Sequence, residues 1–191
     1  LIIQAGIYDE FVAKFTEAVK DLKVGNGAEE GVVVGPLIDD KAANGVLDFI
    51  DDAVAKGATI VTGGGRSVLG GSFIDPTILI NVTRNMRVFS EEIFGPVAPL
   101  FKFETEAEVI EMANDTEFGL AAYFYSRDIG RVYRVSEQLE YGIIGVNEGI
   151  ISNEMAPFGG MKESGAGREG SKYGMDDYMD LKYVCVGGID K

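Results

Sequence analysis

Residues 91–96, Glu91-Glu92-Ile93-Phe94-Gly95-Pro96, place two carboxylates and an aromatic ring directly before a Gly-Pro turn. A second, glycine-dense stretch lies further along the chain, Pro157-Phe158-Gly159-Gly160-Met161-Lys162-Glu163-Ser164-Gly165. Glycine lacks a Cβ and tolerates positive φ, so this stretch can pass close to a ligand or to another backbone segment. These two motifs carry most of the information about fold and function.

The segments around the two motifs alternate between helix-like and strand-like patterns. Helices are predicted where apolar residues recur at helical spacing or where a capping signal occurs: at residues 8–22, from Asp39 or Asp40 to Gly57, at residues 105–114, and from Asp128 to Leu139. Strands are predicted in the β-branched and apolar runs at residues 1–4, 58–62, 77–82, 97–103, 120–125, 143–146 and 183–186. This alternation predicts an α/β fold with a largely parallel, twisted sheet flanked by helices.

Composition excludes several classes of function. The chain has 191 residues and a net charge of −14, whereas a nucleic acid or an anionic membrane would require a surplus of Lys and Arg. It has no histidine, which excludes Ser-His and Cys-His catalytic pairs and most zinc sites within the chain, so no metal is expected. No apolar run reaches the roughly 18 residues of a membrane span, and the single cysteine fits a reducing cytoplasm.

The two motifs together resemble the C-terminal half of an NAD(P)-dependent aldehyde dehydrogenase, and residues 147–154 and 170–174 are most similar to the succinate-semialdehyde dehydrogenase branch. The resemblance covers essentially the whole chain. It implies a catalytic-domain portion in residues 1–168 and a C-terminal helix with an oligomerisation strand in residues 169–191. In the family, the nucleophilic cysteine, the general base and the cofactor domain all precede the position of Leu1. Because the chain opens without an initiator Met, we expect its N-terminus to be a cut end.

The resemblance implies a parent enzyme that oxidises succinate semialdehyde to succinate with NAD or NADP through a cysteine thioester. The chain itself lacks the nucleophile and is expected to be inactive alone, so it has no catalytic residue of its own. The alternative substrates are another semialdehyde or an aliphatic aldehyde, and the alternative function is a binding or assembly module that has lost catalysis. A homodimer or tetramer is expected, because relatives pair the C-terminal strand with a neighbouring subunit.

The resemblance assigns two residues of the first motif to the cofactor. Adjacent acidic residues are usually solvated surface groups. In the family, however, the second Glu binds the nicotinamide ribose hydroxyls and the Phe packs beside the nicotinamide, which implies these roles for Glu92 and Phe94. An ionised carboxylate only accepts hydrogen bonds and can take two hydroxyl donors, which fits the ribose.

Two further residues are assigned to the substrate. Loop serines are mostly turn or cap residues, but the resemblance implies that Ser152 helps to bind the distal carboxylate of the semialdehyde. The arginines that complete this anchor in the family lie outside the chain. Phe158 either lines the substrate funnel or packs in the core.

Two other features are interpreted as structural. Cys185 lies in the apolar run 183–186, where a free cysteine acts as a small hydrophobic side chain. The glycines of residues 159–167 do not form a phosphate-binding loop, because such a loop requires a preceding strand and a βαβ unit.

Overall fold

The computed structural model describes residues 1–190, and these form two compact units. The first unit runs from Leu1 to Val109, and the second begins at Ile110. Each contains helices beside paired strands, so the predicted α/β class is confirmed. The predicted boundary between residues 168 and 169 stays a prediction.

The first unit begins with a short strand and two long helices. Its elements are β1 (Ile2–Gln4), α1 (Tyr8–Lys20), α2 (Asp40–Ala55), β2 (Thr59–Thr62), β3 (Thr77–Ile80), α3 (Arg87–Ser90), β4 (Val97–Pro99) and β5 (Phe101–Phe103). The elements after β5 are α4 (Glu106–Asn114), β6 (Phe118–Gly119), β7 (Ala121–Phe124), α5 (Ile129–Gln138), β8 (Ile143–Val146) and β9 (Met161–Lys162).

Helix α2 forms where the sequence supplies both ends and an apolar face. Asp39 Oδ1 accepts a hydrogen bond from the Ala42 N–H at 2.7 Å, which satisfies one of the free donors of the first turn. Val46, Phe49 and Ile50 recur at helical spacing and are buried. Gly57 ends the helical run at φ 104°, a conformation that favours glycine.

Strand β3 is the centre of the first unit. It pairs with β2 in antiparallel fashion and with β4 in parallel. Successive side chains of a strand point to opposite faces, and both Ile78 and Leu79 are fully buried, so both faces of β3 are covered. Strand β1 pairs with β5 in parallel, and the Tyr8 hydroxyl at the start of α1 donates to the Leu100 carbonyl at 2.8 Å.

The second unit has a smaller core. Strands β7 and β8 pair in parallel, and β6 pairs with β9 in antiparallel fashion. Asp128 caps α5 by accepting from the Arg131 N–H at 2.9 Å, as the sequence predicted. Lys162 Nζ donates to the carbonyls of Asn114 and Thr116 at 3.1 and 3.2 Å and also pairs with Glu140, which joins the end of α4 to β9.

The strands differ from the prediction in two respects. Residues 97–103 were predicted as one strand, but the strand divides at Leu100 because β4 pairs with β3 while β5 pairs with β1. The predicted sheet is present as four small sheets in the described chain, in which three of the five strand pairings are parallel.

The segment Tyr183–Val186, predicted to pair with a neighbouring subunit, forms no strand within the single chain, since no strand follows Lys162 in residues 1–190. The intersubunit strand stays a prediction. A strand requires a hydrogen-bonded neighbour, and this segment has none there. The predicted C-terminal helix is a short 3-10 turn at Tyr173–Tyr178. Within the described residues, no helix combines the length and the apolar character that crossing a membrane demands.

Candidate active site

Glu92 and Phe94 lie on a short turn between α3 and β4. The Glu92 side chain is exposed, and its carboxylate has no hydrogen-bond or ion-pair partner among residues 1–190. Phe94 is 79% exposed and has φ 47°, a left-handed conformation that is strained for a residue with a bulky side chain. The turn therefore exposes a hydrogen-bond acceptor, the Glu92 carboxylate, and the Phe94 ring. Its strained backbone must be held in place by the residues around it.

Helix α3 holds the start of this turn against α2. The Arg87 N–H donates to Asp52 Oδ2 at 2.9 Å, and the Arg87 guanidinium lies 4.4 Å from the centre of the Phe49 ring. The same guanidinium forms two parallel bonds to Glu91, from Nε to Oε1 at 2.8 Å and from Nη2 to Oε2 at 2.9 Å. This fork is the strong bidentate form of an arginine–carboxylate pair.

The charges of this contact reinforce one another. The hydrogen bond from Arg87 lowers the pKa of Glu91, and the same bond raises the pKa of Arg87. The pKa of Asp52 is lowered by its hydrogen bond to Lys56 and then by the backbone N–H of Arg87. All three groups therefore keep their charges at neutral pH.

Gly95 and Pro96 hold the end of the turn. A Cβ on Gly95 would lie 2.4 Å from Val46 Cγ2, so only glycine allows the backbone to approach α2 this closely. The Thr77 N–H donates to the Pro96 carbonyl at 2.8 Å, which joins the turn to β3. Both ends of the turn are thus attached to buried elements, and only Glu92, Ile93 and Phe94 lie between them.

Ser152 lies in a loop that follows β8. Asn147 begins this loop at φ 56°, where its side-chain Oδ1 accepts from the Ser126 N–H at 2.8 Å and its Nδ2 donates to the Ser126 carbonyl at 2.7 Å. The Glu148 carboxylate then accepts from the N–H groups of Gly149 and Ile150. Ser152 is exposed, and its hydroxyl has no partner within residues 1–190.

Phe158 is 37% exposed and pairs with Glu169 through two backbone hydrogen bonds of 2.9 and 2.7 Å. The following glycines allow close backbone packing, because a Cβ on Gly142 would lie 1.9 Å from the Gly159 carbonyl oxygen. Arg168 Nη1 donates to the Gly160 carbonyl at 2.6 Å and closes the loop. Phe158, the neighbouring glycines, Arg168 and Asp177 line a cleft of about 430 Å³.

The structure brings Glu92 and Phe94 together on one turn of the first unit, and it places Ser152 and Phe158 on the loops of the second. Their assigned roles stay predictions. Cys185 was interpreted as a small hydrophobic side chain of an apolar strand; its thiol is exposed, and residues 183–186 form no strand within the single chain described. No cluster of acidic or sulfur ligands suited to a metal occurs in the part of the chain that the structure describes.

Sequence reasoning missed two residues that shape these segments, Arg87 and Asn147. The four-residue spacing between Arg87 and Glu91 was a usable signal, since residues four apart meet on one helix face. Asn147 offered a weaker signal, as an asparagine directly after a buried strand, where left-handed conformations are common.

The fold and these motifs are those of the aldehyde dehydrogenase family. The sequence profile of the aldehyde dehydrogenase family matches residues 1–184, and the chain belongs to this family. Among its relatives, a glutarate-semialdehyde dehydrogenase of Pseudomonas aeruginosa is 60% identical over 189 residues, which cover 99% of this chain and 39% of that protein. An NADP(+) succinate-semialdehyde dehydrogenase of Escherichia coli K12 is 59% identical over 187 residues, covering 98% of this chain and 39% of that protein.

Two further proteins extend the comparison. A 3-sulfolactaldehyde dehydrogenase of Pseudomonas putida is 59% identical over 191 residues, which are 100% of this chain and 39% of that protein. The crystal structure of a succinate-semialdehyde dehydrogenase from Burkholderia pseudomallei superposes with a TM-score of 0.95 at 57% identity, covering 97% of this chain and 38% of that one. The chain therefore spans about 39% of the length of the three dehydrogenases compared by sequence.

Proposed function

We propose that this chain is the C-terminal part of a longer NAD(P)-dependent dehydrogenase that oxidises succinate semialdehyde to succinate. The observation that carries the proposal is the Glu92 turn, which presents a carboxylate without a partner and is anchored to buried elements at both ends. A carboxylate in this state can accept hydrogen bonds from two neighbouring hydroxyls, and a ribose supplies such a pair.

In this proposal, Glu92 binds the nicotinamide ribose and Phe94 packs beside the nicotinamide. When bound, NAD or NADP accepts the hydride that leaves the substrate. The chain's own residues fix the position of the nicotinamide end, and the anchored turn suits this task because orientation contributes strongly to rate. NAD and NADP share this ribose and differ at the other one, so the role of Glu92 is the same for both.

The substrate assignment rests on what the named relatives have in common. Succinate semialdehyde, glutarate semialdehyde and 3-sulfolactaldehyde each carry an anionic group at the end distant from the aldehyde. The exposed Ser152 hydroxyl can donate a hydrogen bond to such a group, and Phe158 borders the cleft of the same unit. Glutarate semialdehyde is the second candidate substrate, because it has the same distal carboxylate on a chain one methylene longer.

The nucleophile and the general base belong to the longer protein in this proposal. The chain has one cysteine, Cys185, and no histidine to activate it. The isolated chain is therefore expected to give no NAD(P)+ reduction with succinate semialdehyde. Thiol-dependent turnover that disappeared in Cys185→Ser would contradict this expectation.

We also propose that the partners are a small aldehyde and further copies of the same chain, in the cytoplasm. The tail presents apolar side chains to solvent, among them Leu181, Tyr183 and Val186, although the chain is acidic overall. A second copy that added a strand at residues 183–186 would cover them and supply the missing hydrogen-bond partner. Residues 169–191 would then form the oligomerisation segment.

The test is a hybrid enzyme, in which this chain replaces the matching segment of the E. coli succinate-semialdehyde dehydrogenase. The hybrid is expected to oxidise succinate semialdehyde. Glu92→Gln in the hybrid should lower the single-turnover rate of hydride transfer by about 100-fold, with a smaller change in cofactor dissociation. Cys185→Ser is the matched control and should leave turnover unchanged. A folded hybrid in which Glu92→Gln transfers hydride at the original rate would contradict the ribose role.

A further inference from the structure

We propose that Arg87 is a positioning residue that sets the orientation of Glu92 by holding Glu91 in a fixed bidentate pair. The inference rests on the proposed function of Glu92 and extends it to a residue outside the motif. Arg87 would not touch the cofactor. It would act through the backbone, because Glu91 and Glu92 are consecutive residues.

The Arg87 side chain has the geometry needed to orient a neighbouring carboxylate. Its guanidinium lies on the Phe49 ring at 4.4 Å and directs Nε and Nη2 to the two oxygens of Glu91 at 2.8 and 2.9 Å. The backbone N–H of the same residue is bonded to Asp52. One arginine thus connects Glu91 to two residues of α2, and a planar fork of this kind restrains the direction of the carboxylate as well as its distance.

Only a short stretch of chain separates the Arg87–Glu91 pair from the second anchor of the turn. After Glu91, the backbone is held again at Gly95, which packs on Val46 of the same helix α2. Glu92, Ile93 and Phe94 lie between the two anchors, and Phe94 takes the left-handed φ of 47°. A three-residue link with fixed ends has few conformations, so releasing one end gives Glu92 new orientations.

The Arg87–Glu91 pair is not needed to keep the chain folded. Both side chains are partly exposed, at 39% for Arg87 and 49% for Glu91, and pairs of this kind contribute little to global stability. The buried residues Val46, Phe49 and Ile50 hold α2 in place without it. The Arg87–Glu91 pair is therefore suited to local orientation, and its loss is expected to leave the fold intact.

The main experiment is a double-mutant cycle in the hybrid enzyme. Arg87→Leu should lower single-turnover hydride transfer about tenfold, less than the roughly 100-fold cost of a fully misplaced group, with cofactor dissociation little changed. The same change in the Glu92→Gln background should cause no further loss, because the carboxylate to be oriented is already absent. Arg87→Lys, which keeps the charge but not the fork, should recover part of the rate.

Arg66→Leu provides the matched control. Arg66 also binds α2, through Asp40 at 3.0 Å and Asn44 at 2.9 Å, near the opposite end of the helix. It should leave hydride transfer unchanged. Two outcomes would overturn the inference while leaving the proposed role of Glu92 intact. In the first, the rate losses from Arg87→Leu and Glu92→Gln multiply in the double variant. In the second, Arg87→Leu transfers hydride at the original rate although Glu92→Gln is impaired.

A second measurement does not depend on the role of Glu92. In the 191-residue chain, the backbone 15N order parameters of residues 92–94 should fall in Arg87→Leu, whereas those within α2 should stay the same. Unchanged order parameters at residues 92–94 would overturn the positioning role even if Glu92→Gln had no effect on hydride transfer. That combination would reject both the inference and the proposed function.

Discussion

Residues 1–109 and residues 110–190 bury their apolar side chains to very different extents. Of the seventeen buried apolar residues, fourteen lie in the first unit, and Ile110, Met112 and Val135 are the three in the second. The second unit instead has nineteen of the twenty-nine exposed large apolar residues of the described chain. Exposed apolar surface on this scale is typical of an interaction site, so the second unit is the part on which the proposed pairing of subunits depends.

The same difference separates the two candidate site segments. The Glu92 turn is held by contacts to buried elements on both sides, namely α2 and β3. The Ser152 loop is held mainly by polar side chains that bind nearby backbone, as Asn147 and Glu148 do. A turn fixed by the core suits the proposed cofactor contact, which requires precise placement, whereas a loop with local support can change its sequence more freely, as the proposed substrate contact would allow.

The largest effect is expected from removing the tail. Without residues 182–191, the chain should be a monomer or an aggregate, whereas the intact chain should be a homodimer at micromolar concentration. Light scattering measures the difference, and removal of only residues 189–191 is the control. A stable monomer of the intact chain, with a tail that resists proteolysis, would show that the second unit covers its own apolar residues.

The next effect concerns the tight packing of the second unit. Gly142→Ala should lower the free energy of unfolding by about 3 kcal/mol, because the new Cβ meets backbone atoms that cannot move aside. Gly149→Ala is the matched control, since no atom lies within 4 Å of its Cβ position, and it should change stability by no more than about 0.5 kcal/mol. Urea unfolding of the 191-residue chain measures both, and equal effects would mean that the second unit is loosely packed throughout.

A smaller, substrate-dependent effect is expected at Ser152. In the hybrid enzyme, Ser152→Ala should raise KM for succinate semialdehyde roughly ten- to a hundredfold, since a hydrogen bond to a charged group contributes about 1.5–3 kcal/mol. Butanal has no distal carboxylate and serves as the control substrate. An equal rise in KM for both aldehydes would mean that the hydroxyl supports the loop structure. The Ser152 loop would then have no role in substrate binding to set against the Glu92 turn.

The smallest effect is the response to acid. The folded-state pKa values of Asp52 and Glu91 are lowered, so these carboxylates stabilise the first unit above their unfolded pKa values, and the contribution is lost as the pH falls through the folded values. Urea midpoints should therefore decrease from about pH 5 downward. The urea midpoint of Glu91→Gln should decrease less steeply with falling pH. Asp128→Asn is the control in the second unit, where asparagine keeps an N-cap acceptor; it should affect only the hydrogen exchange of the α5 amides.

Patterns with strong local causes were predictable from the sequence. Helices α2 and α5 begin at Asp39 and Asp128, where one aspartate side chain caps the first turn, and their apolar faces repeat at helical spacing. The same holds for the Glu92 turn, whose Gly-Pro sequence marks it directly. In each case, the residues that determine the structure lie within a few positions of one another.

Features that depend on distant partners were not predictable. The division of residues 97–103 at Leu100 follows from the choice between β3 and β1 as neighbours, which residues 97–103 do not encode. The tail at residues 183–186 has the composition of a strand, yet a strand forms only where another backbone is present. The contact of Gly95 with Val46 joins residues far apart in sequence, so glycine there appeared to serve the turn alone.

Asn147 gives the end of the β7–β8 pair an unusual property. Its side-chain amide offers one acceptor and one donor to Ser126, as a backbone peptide group of a further strand residue would. A side chain therefore completes the hydrogen bonding at this end of the sheet, so the backbone after Asn147 is not required to continue the strand. Insertions, deletions or whole-loop exchanges in residues 148–156 can therefore change the loop that carries Ser152 without disturbing strand register. Under the proposed role of Ser152, this segment is where evolution or design could change the length of the substrate that fits.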